Sequence, residues 1–173
     1  MVLFDANFLL LLLDPDISVP KDPQTGAPLE RAKERVEHLI ATLAAAHETI
    51  GIPTPVMAEV LVYAGVAGPS YVGIITQNRN FRVLPFDLRA AIECAAMTND
   101  ALLTGKKKSG SAAPWQKVKI DRQIIAIGIV ERISKIYGDD GDLLPLARDA
   151  GIEVESSWQL SLPPENPQQS LPL

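Results

Sequence analysis

Short apolar runs alternate with helical segments along most of this chain, and that alternation limits the folds open to it. The runs read MVLFD, TIGIP, FRVLPF, KIYG and IEVES, and at least one segment with helical character separates each from the next. Strands that alternate with helices form a parallel sheet whose two faces the helices cover. The sequence therefore predicts an α/β fold, a three-layer α/β/α sandwich around a central, mostly parallel sheet.

The helical segments carry recognisable start signals. LERAKERVEHLIATLAAAH repeats apolar residues at steps of three and four from Val36 to Leu43, the spacing of one helix face. Asp87 is placed to cap DLRAAIECAAMTNDALL. A loop, TGKKKSGSAAPWQKVK, is predicted to precede the helix IDRQIIAIGIVERIS, with Asp121 at the head of that helix.

The length of 173 residues indicates one domain, predicted to span residues 1–155. Residues 156–173 are rich in Pro and Gln and lack a periodic apolar face. This tail is therefore expected to contribute little to the fold. Trp158 and Leu160 are the two residues in it expected to be able to pack back on the body.

Composition removes several classes of site. The single cysteine, Cys94, excludes an intrachain disulfide and a cysteine-rich zinc site. The apolar run FLLLLL is too short to span a bilayer and has no basic leader, so a cytoplasmic protein without a membrane association is expected. A net charge of −5 argues against a surface generally coated with nucleic acid, although a local basic patch stays compatible with it.

Acidic residues follow several of the predicted strands. Ligands of open parallel sheets bind beyond the carboxyl ends of the strands, so acids at these places are expected to meet. Carboxylates in one pocket repel each other unless a cation joins them, and a donor set of oxygens favours Mg²⁺ or Mn²⁺ over zinc. The acids in such positions are Asp5, Glu59, Asp121, Asp139, Asp140 and Asp142.

Each acid also has an ordinary structural explanation. Asp5 and Asp121 are in positions to cap helices, and Glu59 is in a position to face solvent from a helix. The run DDGD is compatible with a simple acidic turn. Several acids at equivalent strand ends nevertheless favour a metal site. Such a site activates water for phosphodiester hydrolysis.

Four motifs, in this order, resemble those of PIN-domain nucleases, in particular the VapC-like toxin ribonucleases: LFDANFLL, MAEVL, IDRQIIAIG and IYGDDGDLLPLARDAGIEV. The resemblance covers about residues 1–155. It implies that Asp5, Glu59, Asp121 and Asp140 are the catalytic, metal-binding acids, with Asp139 as the alternative to Asp140 for the fourth. It gives supporting positions to Asn7, Asp139 and Asp142, and Gly138 stands where the family usually has Ser or Thr.

The resemblance further implies a Mg²⁺- or Mn²⁺-dependent endoribonuclease acting on RNA, a homodimer, and inhibition by an antitoxin protein. The alternative is a catalytically idle module of PIN fold that binds RNA or protein. A small-molecule phosphatase is a third possibility. The sequence DAN after the first strand counts against it, because those enzymes carry Asp-x-Asp there.

A lysine-rich segment precedes the third acid. Such lysines can contact phosphates, and an exposed tryptophan can stack on an unpaired base. The segment is therefore predicted to guide RNA to the acidic pocket. The alternative is a solvated loop with its tryptophan buried beneath it. The residues concerned are Lys106, Lys107, Lys108, Trp115, Lys117 and Lys119.

Overall fold

The computed structural model describes residues 1–105, 107–108 and 111–164. The strands are β1 (Val2–Phe4), β2 (Ile50–Pro53), β3 (Phe81–Leu84), β4 (Lys135–Tyr137) and β5 (Glu153–Glu155). Within the described ranges they form one sheet, ordered β3-β2-β1-β4-β5, in which every pairing is parallel. The predicted α/β fold is therefore confirmed.

Helices cover both faces of the sheet. They are α1 (Ala6–Leu13), α2 (Ala32–Ala45), α3 (Thr54–Ala64), α4 (Gly68–Gln77), α5 (Leu88–Leu103), α6 (Trp115–Val130) and α7 (Leu143–Asp149). The chain moves outward from β1 to β3 on one side of the sheet, then crosses back to β4 and β5. Right-handed crossovers place α1–α4 on one face and α5–α7 on the other. Helix contacts within each group are those of α1 with α2 and α3 and of α6 with α5 and α7, whereas α3 and α6 contact each other across the division.

The central strand, β1, is buried along its whole length. Its last residue, Phe4, lies opposite Tyr137 of β4, and both rings pack edge-to-face with centroids 5.7 Å apart. Phe8 of α1 completes this cluster, with its ring centroid 5.5 Å from that of Phe4. This packing fixes the carboxyl ends of β1 and β4 side by side, so the residues that follow the two strands are neighbours.

One predicted boundary is wrong. Helix α6 begins at Trp115, directly after Pro114, and not near Asp121 as predicted. Proline suits the start of a helix because it donates no backbone N–H there. The first two turns carry lysines, and their buried residues include the charged Arg122 as well as Val118. The apolar spacing of a helix is therefore not apparent in this part of the sequence. Asp121 is therefore the seventh residue of α6, and the helix-cap explanation of this acid is excluded.

The first residues of the predicted tail pack on the body. The carboxylate of Asp139 accepts a hydrogen bond from the backbone N–H of Ser157 at 2.7 Å, and Arg35 of α2 donates to the carbonyl oxygen of Leu160. Leu160 is buried and Trp158 packs against the core. Residues 156–160 thus tie the end of β4 to α2. Residues 165–173 lie outside the described residues.

We expect Leu160→Ala to lower the free energy of unfolding by about 2–4 kcal/mol, because it leaves a cavity under the segment. Leu162 is the matched control, since its side chain is 45% exposed against 5% for Leu160. Leu162→Ala is expected to change the stability by less than about 0.5 kcal/mol. Urea unfolding of both variants measures the difference. Equal effects would mean that the segment is not held by this contact.

Candidate active site

The candidate site lies where the strand order reverses. β1 is followed by Asp5 and the neighbouring β4 by Gly138, Asp139 and Asp140. From β1 the chain builds outward to β2 on one side, whereas β4 was added later on the other. The crevice beyond the carboxyl ends of two such strands is the usual ligand position in an open α/β sheet. The sheet thus brings Asp5 and the DDGD run together.

Asp5 is both a helix cap and a member of the site. Its Oδ1 accepts a hydrogen bond from the backbone N–H of Ala6 at 2.7 Å, which begins α1. The side chain is buried. Burial raises the pKa of Asp5 to about 7; the Ala6 N–H opposes that rise, and the negative charges of the other acids add to it. Those acids are Asp140, Glu59 and Asp121, so all four predicted catalytic acids share one electrostatic environment.

Gly138 leaves the space that the Asp5 carboxylate occupies. A Cβ at this position would lie 2.7 Å from the Asp5 Cβ and 3.2 Å from its Oδ2. Contacts under 3.0 Å force one of the two groups to shift. Glycine at position 138, where the PIN pattern has Ser or Thr, therefore leaves room for Asp5 in the position that it takes in this chain.

Asp121, Glu59 and Asp140 line one cavity of about 810 Å³. Asp121 points into it from the middle of α6, and its side chain is almost completely buried. Burial raises the pKa of Asp121 to about 6, against the lowering effect of Lys117. Glu59 lies on the exposed side of α3. Partial desolvation is the main cause that raises its pKa, and the negative charge of Asp140 raises it further.

Asp140 and Asp139 point in different directions. Asp140 lines the cavity, and its Oδ1 accepts from the backbone N–H of Asp142 at 2.8 Å and of Leu143 at 3.3 Å, at the start of α7. Asp139 instead holds Ser157, as described above, and burial raises its pKa. This geometry supports Asp140 as the fourth acid of the cavity.

The three predicted supporting residues, Asn7, Asp139 and Asp142, differ in whether their contacts reach the cavity. Asp142 accepts a hydrogen bond from the Ser111 hydroxyl at 2.5 Å, and this bond, with the charge of Lys117, holds its pKa below the ordinary value. Asn7 is exposed on the first turn of α1. Of the three supporting positions, Asp142 is therefore the one whose contacts reach the cavity, through Lys117.

Lys117 lies among the acids, not on a separate approach path. Its Nζ is 2.7 Å from the Oδ2 of Asp140 and 3.4 Å from the Oδ2 of Asp121. The sequence predicts an RNA-binding loop residue at Lys117 because the lysine-rich segment does not reveal that α6 begins at Trp115. With α6 begun at Trp115, Lys117 stands four residues before Asp121, a spacing that brings side chains together on one helix face.

The donor chemistry fits a divalent cation. The cavity presents carboxylate oxygens, the ligands that Mg²⁺ and Mn²⁺ prefer, and a cation there would relieve the raised pKa values of Asp121 and the neighbouring Asp5. In the described part of the chain, no three Asp, Glu, His or Cys side chains are close enough together to hold a metal ion as they stand. Binding would therefore need side-chain rearrangement around Lys117.

A second cavity, of about 570 Å³, adjoins the first. Phe86 and Gln123 line both, so they form the boundary between the two. Trp115 and Lys119 line the second cavity but not the first. Neither Phe86 nor Gln123 was identified from the sequence, because an isolated Phe and an isolated Gln carry no spacing signal.

The predicted RNA-binding residues lie in different surroundings. Lys107 places its Nζ 4.7 Å from the centroid of the half-buried Trp115 ring, and Lys108 is exposed nearby. Lys119 is exposed on α6. Lys117 belongs to the acid cluster, as above, and Lys106 lies outside the described residues.

The raised pKa values predict how the stability of the metal-free protein changes with pH. Asp5 and Asp121 hold protons in the folded state up to about pH 7 and 6, whereas both lose them near 3.8 when unfolded. The folded state therefore binds more protons between these values, and stability falls as pH rises through this window.

We expect the metal-free protein to melt several degrees higher at about pH 5.5 than at about pH 7.5. Asp5→Asn keeps a capping side chain but no charge, so it should reduce this difference. Melting by circular dichroism in the presence of a chelator measures it. A wild-type melting temperature that is higher at the upper pH would contradict the assignment.

No family model matches the sequence, and no curated protein matches it. Solved structures do match. A chain of the VapBC2 complex from Rickettsia felis, bound to a DNA fragment from its promoter, superposes with a TM-score of 0.57 at 12% identity, over 90% of this chain and 98% of that one. A chain of the DNA-bound VapBC complex from Salmonella typhimurium gives 0.54 at 14% identity, over 91% and 99%. The chain thus has the VapC-like PIN fold that its motifs predicted.

Proposed function

We propose that the protein is a metal-dependent endoribonuclease that hydrolyses RNA phosphodiester bonds and serves as the toxin of a toxin–antitoxin pair. One observation carries the proposal: acids from four separate places in the chain meet at the reversal point of the sheet. Three of them line one cavity, and the charges of all three raise the pKa of the fourth, Asp5. Perturbed acids gathered in a cleft are typical of catalytic sites.

In this proposal Asp5, Glu59, Asp121 and Asp140 hold one or two Mg²⁺ or Mn²⁺ ions. When bound, such an ion lowers the pKa of a coordinated water and polarises the phosphoryl oxygen. The protein's own contribution is orientation. Backbone N–H groups hold one oxygen each of Asp5 and Asp140, and the second oxygen of Asp140 contacts the ammonium of Lys117.

The competing function is an idle PIN-fold module that binds RNA or protein. The observation in its favour is the position of Lys117, whose ammonium already contacts acids of the site. The two functions differ in metal dependence, since an idle module would bind its partner equally well in a chelator and leave RNA intact.

Protein partners are also proposed. The similar structures are VapBC complexes bound to DNA, which supports an antitoxin partner for this chain. A homodimer is the second proposed assembly. Large apolar side chains are exposed from the end of α3 into α4, among them Val62, Tyr63, Val66 and Ile74. Grouped apolar side chains on a surface are typical of protein interfaces.

The same stretch, Thr54–Gln77, is the one described segment with the length and composition of a bilayer span. One such segment is weak evidence, and here a 3₁₀ turn at Gly65–Ala67 interrupts it. Val56 and Val60 of α3 are fully buried in the core. We therefore keep the proposal of a cytoplasmic protein.

The two adjoining cavities suggest the path of the RNA. A strand whose phosphate lies at the acids would pass Phe86 and Gln123 and reach Trp115 and Lys119. Aromatic rings stack on unpaired bases and lysines contact phosphates, so this path suits a single strand. It runs along α6, and not along the lysine loop alone as the sequence suggested.

The catalytic proposal predicts that Asp5→Asn and Asp140→Asn each reduce RNA cleavage by about a hundred-fold or more, because each removes a charged ligand from the site. Chelation of the metal should abolish cleavage. Asp139→Asn is the matched neighbour, and it should retain more activity than Asp140→Asn because Asp139 faces Ser157. Cleavage of a labelled RNA at limiting Mn²⁺ compares the variants. Full activity in Asp5→Asn, or a greater loss in Asp139→Asn, would refute the corresponding assignment.

The proposed path predicts a salt effect. Each phosphate contact to a single strand contributes about 0.7 to the slope of log affinity against log salt. Lys107→Met with Lys119→Met should therefore weaken binding and reduce the slope by about 1.4. Lys21→Met with Lys33→Met removes two exposed lysines elsewhere and should change neither. Fluorescence anisotropy with single-stranded RNA, in an Asp5→Asn background, gives both values. Identical slopes in both pairs would exclude this path.

A further inference from the structure

Lys117 is the cation that contacts most of the cavity's acids in the described structure. Its Nζ lies within 4 Å of a carboxylate oxygen of Asp140, Asp121 and Asp142. The contact to Asp140, at 2.7 Å, is a charge-assisted hydrogen bond. The charge of Lys117 also opposes the rise in the pKa of Glu59, so its influence extends across the cavity to α3.

A metal ion and this ammonium compete for the same atoms. The Oδ2 of Asp121 and the Oδ2 of Asp140 face Lys117, and these two acids are proposed metal ligands. A divalent cation bound there would stand next to a positive charge in a partly buried site, where repulsion is only weakly screened. The acid cluster can therefore bind either the metal ion or the ammonium of Lys117, but not both at once.

The side chain of Lys117 has room to leave. It is 38% exposed, whereas that of Asp121 is 6% exposed. Lys117 is the third residue of α6, near the helix start, and its ammonium sits at the end of a flexible four-carbon stem. Backbone N–H groups hold Asp140, and Asp121 is almost completely buried, so the lysine is the group with room to move.

We propose that Lys117 is an internal counter-ion that holds the acid cluster together in the metal-free protein and must withdraw from Asp121 and Asp140 before a divalent cation binds. This inference rests on the proposed metal site. It makes Lys117 a positioning residue that sets the metal affinity, and thereby the metal concentration at which the site is loaded.

The direct test is Mn²⁺ affinity by isothermal titration calorimetry. Lys117→Met keeps the apolar stem and removes the competing charge, so we expect it to bind Mn²⁺ about ten-fold more tightly than wild type, or tighter still. Lys117→Arg keeps the charge and should bind no more tightly than wild type. Lys33→Met, on the exposed side of α2, controls for the loss of one positive charge and should match wild type.

Thermal stability gives a readout independent of catalysis. Without metal, Lys117→Met should melt below wild type, because the acids lose their counter-ion. With saturating Mn²⁺ the two should melt at the same temperature, or the variant higher. A purely structural lysine would instead lower the melting temperature by the same amount in both conditions, and that result would overturn the inference.

The outcomes separate this inference from the proposed function. Equal Mn²⁺ affinity in wild type and Lys117→Met would overturn the counter-ion role and leave the metal site standing. Mn²⁺ binding by Lys117→Met but not by wild type would support it most strongly. Absence of Mn²⁺ binding in every variant would overturn the proposed metal site itself, and the counter-ion role with it.

Discussion

The parallel pairing of β1 with β4 is the constraint on which the candidate site depends. Phe4 and Tyr137 lie opposite each other, so the next residues, Asp5 and Gly138, emerge side by side from the same edge of the sheet. The backbone N–H of Asp5 donates to the carbonyl oxygen of Tyr137 at 2.9 Å, which continues the pairing into the site. A shift of one residue in this register would turn the side chain of Asp5 away from the cavity.

The repulsion among the acids that this pairing brings together is offset by groups within the site. Burial desolvates Asp5 and Asp121, the neighbouring acids repel them as well, and the raised pKa values of both record this cost. Two contributions offset it: backbone N–H groups at the starts of α1 and α7, and the ammonium of Lys117. Asp5 and Asp140 therefore each combine a backbone contact at the start of a helix with a place near the other acids.

The two adjoining cavities differ in the chemistry of the residues that line them. The acids lie at one end, and beyond Phe86 and Gln123 the surface becomes aromatic and basic through Trp115 and Lys119. A single RNA strand, the proposed substrate, joins anionic phosphates to flat, apolar rings and so suits this succession. Helix α6 contributes to both ends, since it carries Lys117 and Asp121 as well as Trp115 and Lys119.

Much of this was readable from the sequence. The order of apolar runs determined the parallel α/β fold, because a strand buried on both faces needs an uninterrupted apolar run and its crossover needs a helix. The position of Asp5 after β1, and of the DDGD run after β4, followed from the same pattern. Even at 12–14% identity to the VapBC chains the fold is shared, because this pattern constrains residue type and not residue identity.

Tertiary structure decided the rest. Pro114 marks a possible helix start, but the burial of Val118 and Arg122, on which the first turns of α6 depend, is not apparent in a lysine-rich segment. The choice between Asp139 and Asp140 depended on Ser157, which lies far along the chain and pairs with one of the two acids. The place of Lys117 depended on the distance between α6 and the end of β4. Sequence alone determined which acids reach the edge of the sheet, whereas packing between distant segments determined which of their oxygens face the cavity and which cation lies among them.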